Sequence, residues 1–67
     1  MIIFKVKEMM EKRGITTQRE LAEAASIHPT RMGLIVHGTL RRIDVDTLNR
    51  LCKALDCQPG NLIEYRE

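Results

Sequence analysis

Apolar residues in this chain recur at intervals of three and four, and almost nowhere at intervals of two. That spacing belongs to helices with one buried stripe and leaves little room for a half-buried sheet. Val6, Met9 and Met10 supply one stripe, Leu21, Ala22 and Ala25 a second, and Met32, Ile35 and Val36 a third. Val45, Leu48, Leu51, Cys52 and Leu55 supply a fourth, and Leu62 and Ile63 a short fifth. The expected fold is all-α, five compact helices forming one domain over residues 1–67. The only β-like stretch is Ile2, Ile3 and Phe4, which can extend before the first helix or pair with a neighbour. A chain of this size buries a modest fraction of its surface and often gains stability from a partner.

Local chemistry sets the boundaries. The first helix is expected from about Phe4 to Arg13, with Lys12 and Arg13 suited to its negative end and Gly14 able to close it in a left-handed conformation. Thr17 and Glu20 read as a capping box: the hydroxyl accepts from the Glu20 amide and the carboxylate reaches back to the Thr17 amide. Leu21, Ala22 and Ala25 then form a narrow face on which the small side chains let another helix approach closely. After a break of about three residues, with Ile27 pointing inward, Pro29 opens a helix reaching about His37, closed by Gly38. Proline at a first helical position forfeits nothing, because its missing amide hydrogen has no partner there. Thr39 to Ile43 is a basic loop, Asp44 caps a helix from Val45 to Leu55, and a last short helix starts at Pro59 after Gln58.

Composition narrows the function. One Phe and one Tyr are too few for a base-stacking platform. No apolar run is long enough to span a bilayer, and "MIIFKVKEMM" lacks the basic start and cleavage site of a secretory signal, so the cytoplasm is the expected compartment. Cys52 and Cys57 fall where apolar residues belong and are expected as reduced, structural thiols. His28 and His37 show no zinc-ligand spacing to them, so neither a metal nor a cofactor is expected. Nor does any Ser/His/Asp set, carboxylate pair or phosphate-cradling glycine loop suggest an enzyme. Net charge is only +2, but between Ala24 and Ile43 there is no Asp or Glu, while His28, Arg31, His37, Arg41 and Arg42 all lie there. Such a window is either a solvated basic surface or the footprint of a polyanion.

Two short helices joined by a three-residue break describe a helix-turn-helix unit. "TTQRELAEAASIHPTRMGLIVHG" followed by "IDVDTLNRLCKALDCQPGNLIEY" resembles the Cro and lambda-repressor-like regulators, over about Val6 to Tyr65. The likeness is closest to short, single-domain bacterial members. It implies that helix 3 lies in the DNA major groove while helix 2 crosses the backbone, the docking described for phage repressors. On that resemblance Thr17 and Gln18, at the start of helix 2, contact phosphate, and Thr30 and Leu34 face the groove. His28, Pro29 and Gly33 line the same edge. His37, Arg41 and Arg42 fall on flanking phosphates, and Arg31 holds a phosphate or reads a guanine. Double-stranded DNA is the implied partner, bound as a homodimer.

Three features depart from the family pattern. Pro29, Gly33 and Leu34 offer base edges no hydrogen bonds where relatives carry polar residues, so specificity should lean on phosphates and DNA shape. Met10 and Val36 occupy the places of a buried Arg–Glu pair, a joint exchange that is often neutral or stabilising. Ser26 stands where relatives have Gly, at some cost if the turn needs a positive φ. A second reading of the same fold is a protein-binding module, an antitoxin or accessory factor, whose apolar edge (Pro29, Gly33, Leu34) and tip (Ile2, Ile3) contact another protein.

Overall fold

The computed structural model describes residues 1–67. In chain order it contains β1 (Ile2–Phe4), α1 (Val6–Lys12), α2 (Gln18–Ala25), α3 (Pro29–Val36), α4 (Val45–Leu55), α5 (Pro59–Leu62) and β2 (Ile63–Tyr65). The helices start where the cap chemistry directs. Thr17 Oγ1 accepts from the Glu20 amide at 3.1 Å, and Asp44 Oδ2 accepts from the Thr47 amide at 3.1 Å. Only half of the expected capping box forms, because the Glu20 carboxylate takes the Thr16 hydroxyl at 3.2 Å instead of returning to the Thr17 amide. Gly14 and Gly38, each at φ 73, turn the chain after α1 and α3.

The interior draws on every helix. Val6, Leu21, Met32, Ile35, Leu51, Leu55 and Leu62 have less than 2% of their surface exposed, and Met9, Met10, Ala22, Ala25, Ile27 and Val36 complete the buried apolar cluster. Met10 and Val36 both lie in it, so no ion pair crosses the core between these positions. Ala22 and Ala25 let α2 pack closely with α3 and α4. Arg13 joins the end of α1 to the end of α4, donating from Nε to the Leu55 carbonyl at 2.7 Å and from Nη2 to the Asp56 carbonyl at 2.8 Å.

Three expectations need correcting. The chain is not purely helical: β1 and β2 form a two-stranded antiparallel sheet in which Ile2 faces Tyr65, Ile3 faces Glu64 and Phe4 faces Ile63. Phe4 and Ile63, read as helical, are strand residues, because β-branched Ile2, Ile3 and Ile63 favour extended backbone and a four-residue α5 has little helical free energy to oppose them. Val45, read as part of the buried stripe of α4, is 74% exposed. A helical side chain leans over the turn before it, and the first residue of a helix has no such turn to cover. Thr47 is buried instead, its hydroxyl donated to Asp44 Oδ1 at 2.6 Å.

Candidate nucleic-acid interface

The surface anticipated from the sequence centres on α3. Met32, Ile35 and Val36 are buried on its inner side, which turns Pro29, Thr30 and Leu34 outward; all three are exposed, Leu34 by 43%. Gly33 is half-buried between α3 and the start of α2: a Cβ there would meet Gln18 Oε1 at 3.5 Å. The α2–α3 break is Ser26, Ile27 and His28, with Ile27 buried beneath it. Ser26 sits in the left-handed region, φ 55 and ψ 45, and its carbonyl accepts from Arg50 Nη1 at 2.8 Å. Arg50 also pairs with Asp46 at 3.0 Å, so α4 holds the turn in place.

His28 is the N-cap of α3. Its Nδ1 accepts from the Thr30 amide at 3.2 Å, which puts the ring proton of neutral His28 on Nε2 and leaves that donor facing solvent. Gln18 and His37 come together: Nε2 of each lies 3.2 Å from the other, joining the first turn of α2 to the residue that follows α3. Both groups can also donate to an anion. The first-turn amides of α2 lie beside them, and Thr17 has its side chain committed to capping.

Arg31 is differently employed. Its Nη2 lies 2.9 Å from Asp44 Oδ1, and its Nε is buried without a partner, so the guanidinium ties α3 to the cap of α4. The Asp44 carboxylate therefore accepts from three groups on two residues, the Thr47 amide and hydroxyl and the Arg31 guanidinium. It is held below the ordinary aspartate value of 3.8, first by the Thr47 hydroxyl, then by the Thr47 amide, with Arg31 adding attraction. Sequence reasoning missed this link, although Asp44 stands at the end of the acid-free window.

Arg41 and Arg42 remain exposed and form no ion pair. Their loop is fastened to α3 at the Leu34 carbonyl, which accepts from the Thr39 amide at 2.9 Å, the Leu40 amide at 3.3 Å and the Thr39 hydroxyl at 3.4 Å. The outer side of α3, the Gln18–His37 bridge and this loop thus belong to one connected stretch of backbone from Thr17 to Arg42. Its only charged side chain bound to a carboxylate outside α2 is Arg31.

A model of the Cro/C1-type HTH DNA-binding domain matches residues 5–67. The chain belongs to that family. This Cro/C1-type domain is also 37% identical to the uncharacterized HTH-type transcriptional regulator YozG of Bacillus subtilis strain 168, over 65 residues that cover 97% of the chain and 76% of that relative. No solved structure matches it. In this Cro/C1-type domain α2 and α3 are the helix-turn-helix pair, and no helix is long and apolar enough to cross a membrane.

Proposed function

We propose that this protein is a DNA-binding transcriptional regulator, acting as a repressor, that lays α3 in the major groove and holds flanking phosphates with Gln18, His37, Arg41 and Arg42. The observation that carries this reading is the division of α3 into a buried inner side and an open outer side, next to two arginines without carboxylate partners. Thr17 positions the start of α2 for a phosphate, and His28 presents Nε2 at the groove edge. Thr30 and Leu34 meet base edges, Leu34 through a thymine methyl. Pro29 and Gly33 keep the backbone of α3 close to the duplex. Arg31 anchors α3 to α4 through Asp44 and offers its remaining N–H groups to a phosphate.

With no bidentate reader on α3, affinity rests mainly on phosphates, so binding is steeply salt-dependent. A dimer on a two-fold site supplies the second set of contacts, with half-sites about one helical turn apart. Fluorescence anisotropy on genomic fragments tests this: affinity is expected to fall strongly from about 50 to about 300 mM salt. Affinity unchanged over that range rules the reading out.

The exposure of Leu34 also suits a protein-binding module. Leu34→Arg separates the two: loss of a co-purifying protein with DNA binding kept supports the module, and altered DNA binding supports the regulator.

A further inference from the structure

The end of α4 closes on a pair of thiols. Asp56 follows the helix in the left-handed region, φ 48 and ψ 57. Its amide donates to the Lys53 carbonyl at 3.4 Å, and the Cys57 amide donates to the Cys52 carbonyl at 3.0 Å. This is a Schellman closure, in which the two residues joined by the longer backbone bond commonly bring their side chains together across the turn. Here those residues are Cys52 and Cys57. A contact that two aliphatic side chains would satisfy is made by two free thiols, each half-buried against the core. Burial first, and then the charge and hydrogen bond of the Cys52 thiol beside it, push the Cys57 thiol above its usual value.

The turn is fixed from both sides. Arg13 of α1 donates to the Leu55 carbonyl at 2.7 Å and to the Asp56 carbonyl at 2.8 Å. Beyond Cys57, the Gln58 amide donates to Asn61 Oδ1 at 3.0 Å and Pro59 opens α5. The two sulfurs are therefore held near each other by the backbone, without help from a ligand. The charged neighbours of Cys57 are Arg13, which favours its thiolate, and Asp56, which opposes it.

We propose that Cys52 and Cys57 bind one soft monovalent cation of the copper(I) class, held in two-coordinate fashion between their sulfurs. Thiolates are the ligands that select copper(I). Zinc takes four ligands, whereas no group of three or more His, Cys, Asp or Glu side chains is placed here to hold an ion. Both histidines flank α3, away from this turn in the chain. Two sulfurs without a third donor suit an ion whose filled d shell is satisfied by two ligands. On binding, each thiol gives its proton to solvent and each sulfur forms one bond to the ion, with no change of oxidation state. The resulting site carries one net negative charge, which the Arg13 guanidinium offsets. A protonated thiol is a poor nucleophile, so the raised Cys57 value slows oxidation of the pair but does not prevent a thiophilic ion from displacing the proton.

Anaerobic titration of the reduced chain with copper(I), in competition with a chromogenic copper(I) chelator, tests the site. One ion per chain is expected, with an ultraviolet sulfur-to-copper charge-transfer band that grows with loading. Cys52→Ala and Cys57→Ala should each weaken binding by about a hundredfold or more, because each leaves one donor where two were tethered. Should an alanine variant fail to fold by circular dichroism, serine at the same position serves instead. Loading should also raise the Tm of the unaltered chain, since the folded turn is what brings the sulfurs together. Zinc(II) in place of copper(I) should leave Tm nearly unchanged. Binding that survives the loss of either thiol, one ion shared between two chains, a Tm that fails to rise with copper(I), or a zinc(II) effect as large as that of copper(I) overturns the site. None of these measurements involves DNA, so this site and the regulator reading stand or fall separately.

Discussion

Ser26 carries the tightest constraint on any single residue of the helix-turn-helix. At φ 55 an L side chain is strained, and the conformation persists because Ala25 and Ile27 are buried on either side and Arg50 holds the Ser26 carbonyl. Ser26→Gly is expected to stabilise the fold by about 1 kcal/mol, raising Tm by about 4–8 °C in a domain of this size. Thermal unfolding checks it, and an unchanged Tm would mean that the serine makes compensating bonds. Asp44 is the second such residue. Its folded carboxyl titrates below the ordinary value of 3.8, so its contribution is fully present above that value and is lost as acid carries the pH through the lower, folded one. Asp44→Asn keeps a good N-cap but loses the charge that faces Arg31. Acid unfolding followed by circular dichroism should show a smaller loss of stability below pH 3.8 in the variant than in the wild type.

Among the elements, α3 is the one most fully anticipated by its own residues. Its start at Pro29, its buried triplet Met32, Ile35 and Val36, and its end at Gly38 all followed from side-chain spacing and backbone stereochemistry. Capping and periodicity are local, and a sequence displays local chemistry directly. The strands were harder: pairing Ile2–Phe4 with Ile63–Tyr65 joins segments some sixty residues apart, and nothing in either triplet names the other. The Arg31–Asp44 and Arg50–Ser26 links were hidden for the same reason, since each spans helices whose relative placement depends on the whole core. Within α3, Gly33→Ala tests the site and the helix together. Alanine should stabilise the helix by about 0.5–1 kcal/mol, because the added methyl meets Gln18 Oε1 only at ordinary contact distance. If α3 approaches a duplex here, the same methyl lowers DNA affinity while Tm rises. Anisotropy and thermal melts on one sample read both directions.

On the scale of the molecule, the proposed function makes the basic loop and the helix-turn-helix one electrostatic surface. Replacing both Arg41 and Arg42 by Ala should lower the slope of log affinity against log salt by about 2, uniformly across DNA sequences, and leave Tm nearly unchanged. A preserved slope would remove both residues from the interface. The first and last strands frame this surface, and they close the polypeptide into a ring of contacts from Met1 and Arg66 back to Lys5 and Leu62. Such a clasp makes the two ends interdependent. An isolated pair of three-residue strands is barely stable in water, so neither can persist once the other has peeled away. Clipping a few residues from one terminus would therefore loosen the opposite one, and would uncover Val6 and Leu62, two of the most deeply enclosed side chains, in a single event.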